Sequence, residues 1–241
     1  EFRRRFVQDL SHELRSPLTV MRTTVETLED EIPAEFAEVL IRQVERVDRL
    51  ANELNELASI EAGHMDLELE SVRLASVVTD VIGDFGPEAH RVSVRMESHV
   101  AADIECWCDR RGLYRVLSNL VDNAVKYTQA GGHIHVDARA HRAGVTVRVQ
   151  DDGPGIPRAA QSRLFERFFR VGSPATIGKE GSGLGLSIVR AIVEDCGGQV
   201  GVESEEGQGS TFWFWLPEAQ MLPEGLAVPR TSLTELQPRR H

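Results

Sequence analysis

A chain of 241 residues with 41% hydrophobic and 27% charged residues has ordinary globular composition and is long enough for two compact units. Its formal net charge of −11 argues against nucleic-acid binding, which needs a basic surface, but does not exclude a small anionic ligand, which a few placed donors can hold. No apolar run approaches the roughly 18–20 residues of a membrane-spanning helix, and no signal-peptide pattern opens the chain. Because a helical pattern is already under way at Phe6, close behind Glu1, a fragment of a longer protein is expected. Any membrane contact is expected through a segment upstream, with this part cytoplasmic. Three cysteines cannot all pair, and the Cys106-Trp107-Cys108 run lacks a second ligand pair at metal spacing, so reduced thiols are favoured over zinc.

The first sixty or so residues carry two apolar stripes stepping by three or four. One runs from Phe6 through Leu10, Leu14, Leu18, Met21 and Val25 to Leu28, the other from Phe36 through Leu40, Val44, Val47, Leu50 and Leu54 to Leu57. The short link at Glu31-Ile32-Pro33-Ala34 predicts an antiparallel helical hairpin over 1–62. Two helices make a poor core, so a second copy is expected to complete a four-helix bundle, that is, a homodimer. Residues 63–68 read as a linker. The pattern over 69–217 then turns mixed, with strands at Arg91–Ser98, His133–Arg139, Val145–Asp151, Gln199–Ser204 and Ser210–Leu216. Helices are predicted at Leu74–Phe85, Arg110–Tyr127 and Leu184–Cys196, giving an α+β sandwich with one helical face. The stretch 218–241 is rich in Pro, Glu and Arg without periodicity and reads as a disordered tail.

Within the first stripe, His12 sits nearly opposite the apolar face at about 100° per residue, so its imidazole is expected to face solvent. A neutral imidazole there is a usable nucleophile, with Glu13 beside it to accept a proton or orient the ring. Ser16 lies one turn on, on roughly the same face. Pro17 allows a fresh helix start capped by Ser16, but the stripe stays in phase through it, which favours a single helix kinked beside His12.

Further on, Asn119, Asn123 and Lys126 align along one helix flank, where amide oxygens suit a hard cation such as Mg2+ and a lysine suits phosphate. Val145, Val147, Val149 and Asp151 share one strand face, so Asp151 points into the core and needs a donor, for which the exocyclic amine of adenine would serve. Gly153-Pro154-Gly155 lets a flat ring approach the backbone. Arg167 and Arg170 stand among aromatics, ahead of a Gly/Ser/Pro stretch long enough for a lid. Gly181-Ser182-Gly183-Leu184-Gly185 opens a helix and offers bare N–H groups to phosphate, without the Lys-Ser/Thr of a Walker loop.

His12-Glu13-Leu14-Arg15-Ser16-Pro17-Leu18-Thr19 resembles the phosphoacceptor box of sensor histidine kinases, and the later segments resemble, in order, the N, G1, F and G2 boxes of their ATP-binding domain. The likeness covers residues 1–217. It implies a hairpin that dimerises into a four-helix bundle, followed by a Bergerat-type α/β sandwich with left-handed connections. It also implies an autophosphorylating kinase that uses ATP and Mg2+ and passes phosphate from His12 to an aspartate of a response-regulator receiver domain. By position, Asn123 would be the Mg2+ ligand, with Asn119, Lys126 and Tyr127 near the phosphates or nucleotide. Asp151 would contact adenine, and Arg170, with Arg167, would meet the γ-phosphate from the lid. The resemblance also assigns a phosphatase reaction to the Ser16 position, which in the family is often Thr or Asn. Gyrase- and chaperone-type ATPases share this nucleotide fold but place a Glu one turn before the metal-binding Asn, where this chain has Asn119. Anti-sigma serine kinases share it too, without a histidine-bearing hairpin.

Overall fold

The computed structural model describes residues 23–24, 36, 39–41, 43–44, 47, 51–52, 67–141, 144–172 and 182–217. The first of these groups, up to residue 52, are helical. Within them Phe36, Leu40 and Val47 remain exposed, while Ala51 is buried. The kink expected at Pro17 and the tail lie outside the described residues.

From Glu70 the order is β1 (Glu70–Arg73), α1 (Leu74–Arg91), β2 (Arg95–His99), β3 (Glu105–Cys108), α2 (Arg110–Tyr127), β4 (His133–His141), β5 (Gly144–Asp151), α3 (Arg158–Gln161), α4 (Gly185–Asp195), β6 (Gln199–Glu205) and β7 (Gly209–Pro217). The main sheet has five strands in the order β2-β4-β5-β7-β6. Only β2 and β4 run parallel, while β5 is flanked by antiparallel partners on both sides. A separate antiparallel ladder joins β1 to β3.

The alternation legible in β5 and β7 decides which sheet face is covered. Val145, Val147 and Val149 of β5 and Phe212, Phe214 and Leu216 of β7 are buried, and the helices lie over that face. The opposite face carries Trp213 and Trp215, whose rings lie over Gly201 and Gly144. A Cβ on either glycine would come within 2.2–2.3 Å of an indole atom. Among the helices α2 is central, packing against α1 on one flank and α4 on the other. Asp109 caps it by accepting the Gly112 N–H at 2.6 Å, and its buried residues Leu113, Leu117, Leu120 and Ala124 recur at helical spacing.

Two boundaries differ from the sequence reading. Helix α1 does not stop at Phe85 but runs through Gly86 and Pro87 to Arg91. Pro87 faces solvent, and the last turn is anchored by buried Ala89 and by an Arg91–Glu88 pair, so one lost backbone bond is tolerated. Strand β2 therefore starts at Arg95, after a turn containing Ser93 at φ 59. Strand β1 and the one-turn helix α3 carry too few buried residues to leave a periodic signal.

The three cysteines are free and buried. Cys106 and Cys108 face the same side of β3 with sulfurs 3.5 Å apart. The hydrogen bond with Cys106, then burial, holds the Cys108 thiol far above its usual range, and burial pushes Cys196 up to about 11. Thiols held neutral this firmly are packing groups rather than nucleophiles.

Candidate nucleotide site at the end of the central strand

Strand β5 ends at Asp151, paired with Ile134 of β4 and Ser210 of β7. The side chain is 5% exposed, in the inward position that strand alternation requires. Its Oδ1 accepts the Gly153 N–H at 2.8 Å. Burial pushes the carboxyl up to about 6, against the lowering effect of hydrogen bonds from the Gly153 and Ser210 backbones. A buried carboxylate in this state is ready for one more donor.

The turn that follows is fitted closely. A Cβ on Gly153 would lie 2.6 Å from Asp151 Oδ1 and 3.2 Å from the Tyr127 carbonyl oxygen, so Tyr127, Asp151 and Gly153 meet at one point. Gly155 has φ +69, and a Cβ there would sit 2.0 Å from the Glu205 carbonyl oxygen. Gly155→Ala combines left-handed backbone with a backbone clash and is expected to cost on the order of 3 kcal/mol, read as a lower urea midpoint. An unchanged midpoint would mean the turn is not held as described.

Residues that carried no sequence signal hold this turn in place. The Ile156 N–H donates to Ser204 Oγ at 2.9 Å, and Ser204 Oγ donates to the Gly209 carbonyl at 2.7 Å and lies 3.0 Å from Ser210 Oγ. The Gln161 amide donates to the carbonyls of Ile156 and Ser204. Gly209, at φ +91, comes so near the Asp151 carbonyl that a Cβ would be 2.0 Å from it. The glycines of the β6–β7 turn, at 207 and 209, were the available clue.

On α2, Asn119 and Asn123 are half-buried. The Asn119 amide donates to the Arg115 carbonyl at 3.0 Å, and its oxygen would be 2.9 Å from a Cβ on Gly185. Asn119 is thus a spacer between α2 and the start of α4, and a glycine at 185 lets that start come close. Lys126 forms an ion pair with Asp122, one turn back along α2. Lys126 and Tyr127 also line a cavity of about 530 Å3 shared with Glu88, Arg91 and Asp122.

The second glycine loop is braced against the aromatic segment. Gly183 has φ +75, and a Cβ there would lie 2.8 Å from the Phe168 backbone carbon. Phe168, itself at φ 60 and exposed, donates its N–H to the Gly183 carbonyl at 2.9 Å. Arg167 and Arg170 flank this contact on the surface, and the Arg163 guanidinium stacks on Phe169 at 4.4 Å. Leu184 is buried, and its N–H donates to Ser182 Oγ at 3.0 Å, which fixes the turn into α4. His12, Glu13, Ser16 and Gly181 lie outside the described residues.

The profile described as histidine kinase-, DNA gyrase B- and HSP90-like ATPase matches residues 108–220, and the His kinase A (phospho-acceptor) domain matches residues 2–63. The alginate biosynthesis sensor protein KinB of Pseudomonas aeruginosa is 37% identical over 89% of this chain and 37% of its own length. The sensor histidine kinase WalK of Bacillus subtilis is 32% identical over 89% of this chain and 36% of its own. The chain therefore spans little more than a third of these relatives. Full-length ShkA in complex with AMPPNP superposes with a TM-score of 0.76 at 30% identity, covering 88% of this chain and 45% of ShkA. The catalytic domain of the histidine kinase ThkA superposes with a TM-score of 0.56 at 30% identity, covering 63% of this chain and 96% of that domain. A phospho-acceptor segment followed by an ATP-binding sandwich, matched by both profiles and by these relatives, places the chain in the histidine kinase family.

Proposed function

We propose that the chain binds ATP with Mg2+ at the end of β5, transfers the γ-phosphoryl group to His12, and passes it on to an aspartate of a response-regulator receiver domain. The observation that carries this reading is the occupant of the position one turn before Asn123. It is an amide already committed to a backbone carbonyl, not a carboxylate that could activate water. A site that binds ATP without a hydrolytic base needs its nucleophile from elsewhere, and His12 lies in the segment matched by the phospho-acceptor profile.

The residues fit the nucleotide. Asp151 has a buried oxygen suited to the adenine amine, and Gly153 puts no side chain against that carboxylate, while Gly155 lets the turn close on the Glu205 backbone. Asn123 offers a hard amide oxygen to Mg2+, which when bound supplies positive charge to the phosphates. Arg170 and Arg167 and the glycine loop at 181–185 offset the charge that develops on the transferring group. A nitrogen of His12 attacks the γ-phosphorus, the bond to the β-phosphate oxygen breaks, ADP leaves, and Glu13 takes the imidazole proton. Exposure of Phe36, Val39, Leu40 and Val47 in the single chain supports a homodimer closed through the hairpin over 1–62, tethered by 63–68 to the ATP-binding domain over 69–217. No helix among the described residues is long and apolar enough to cross a membrane, and we assign this part to the cytoplasmic side of a longer sensor.

Incubation with γ-labelled ATP tests the choice between kinase and ATPase. The label is expected on protein, with little free phosphate until a receiver domain is added. Sustained release of inorganic phosphate, with no labelled protein, would establish the hydrolytic alternative instead. Ser16 is assigned the phosphatase reaction toward the phosphorylated regulator.

A further inference from the structure

The polar face of α2 is divided between two neighbours. Asn119 is turned toward α4, where it meets Gly185. Lys126 is instead drawn toward α1 by Asp122, over the cavity that also holds the Glu88–Arg91 pair. At about 100° per residue, Lys126 projects between Asp122 and Asn123, roughly 40° from the first and 60° from the second. A rotation of its flexible stem therefore carries the ammonium from one to the other. The pair is only partly buried, with side chains 28% and 40% exposed, so neither group is locked in place.

We propose that Asp122 is a positioning residue that parks Lys126 on the α1 side of the helix, and that the phosphates of a nucleotide must take this lysine from Asp122 when they bind. Asp122 thereby lowers affinity for the triphosphate by competing for its cation. The inference rests on the reading of Lys126 as a phosphate contact. An acid four residues ahead of a lysine is the favourable orientation for such a pair on a helix, so Asp122 is an effective competitor. Its strength is that of a part-exposed ion pair, enough to tune affinity without blocking it.

The test is calorimetric titration of a non-hydrolysable ATP analogue, and separately of adenosine, into the chain, Asp122→Asn, Lys126→Met and the double variant. Thermal melts confirm that each is folded. Asp122→Asn is expected to tighten analogue binding roughly threefold to fivefold, and to leave adenosine unchanged. In the Lys126→Met background the same change should have no effect, and the gain should shrink as salt is raised. Equal tightening with and without Lys126 would mean that Asp122 simply repels phosphate, and would overturn the proposal. So would unchanged or weaker binding in Asp122→Asn. Lys126→Met binding the analogue as well as the parent chain would remove the underlying phosphate contact, a failure distinct from the other two.

Discussion

Asp151→Asn is expected to lose nucleotide affinity on the order of 100-fold while making the nucleotide-free domain more stable. Both effects follow from one buried group. The carboxylate Oδ1 accepts from Gly153, and an asparagine oxygen can keep that bond. The other terminal atom becomes an NH2 group, so a donor would face the adenine amine where an acceptor is needed. Stability moves the other way. Burial raises the carboxyl from its ordinary 3.8 to about 6, so the folded state holds its proton more tightly than the unfolded chain. Its contribution is fully present below pH 3.8 and is lost as pH rises through about 6. At neutral pH the charged side chain therefore destabilises the domain by on the order of 2–3 kcal/mol, which the neutral amide removes. A melting temperature higher by roughly 5 °C, with the pH dependence between 4 and 6 flattened, is the expected record. The same titration sets the pH dependence of binding, since a donor on the ligand favours the ionised carboxylate. Analogue affinity in the parent chain should fall as pH drops from 7 to 5, and should fall less steeply in the variant, where the terminal phosphate still titrates but residue 151 does not. A variant that binds the analogue normally would show that Asp151 accepts nothing from the base.

His12→Gln is expected to bind the ATP analogue as tightly as the parent and to take up no phosphate, a loss of more than about 1,000-fold in labelling rate. Glutamine is close to imidazole in size and polarity, so it should leave hairpin and dimer intact, but its amide nitrogen has its lone pair delocalised into the carbonyl and does not attack phosphorus. Mixing His12→Gln with Asp151→Asn adds a second reading. If two chains pair through the hairpin and transfer runs between them, the mixed dimer should recover labelling. If transfer stays within one chain, neither half can be labelled. Labelling in pure His12→Gln at the parent rate would place the acceptor elsewhere.

Helix α2 was legible from end to end because the signals coincide. Asp109 caps it, apolar residues recur with a helical period, and Thr128 begins the turn out. The inward position of Asp151 followed from simple alternation along β5. Helix α1 shows where such reasoning fails. Gly86-Pro87 is a sound stop signal, yet tertiary anchoring of Ala89 carries the helix past it. The bracing of the first glycine turn could not be read at all, since Ile156 and Ser204 stand 48 positions apart and Gln161 and Ser204 stand 43 apart. Asn119 shows a subtler gap. Its alignment with Asn123 and Lys126 is real, but helix spacing cannot reveal that its amide N–H is given to the Arg115 carbonyl and that its oxygen lies against Gly185. The Asp122–Lys126 pair, by contrast, has the spacing that makes helix ion pairs readable, and its interest emerges only from its place beside the nucleotide residues.

A histidine kinase must leave the phosphate from ATP on an imidazole nitrogen. The most direct measurement is the chemical stability of the label after incubation with γ-labelled ATP and Mg2+. A phosphorus–nitrogen bond predicts label lost in acid, retained in base, and mapped by peptide analysis to the segment holding His12. Label that survives acid, as a phosphoserine or phosphothreonine would, contradicts it.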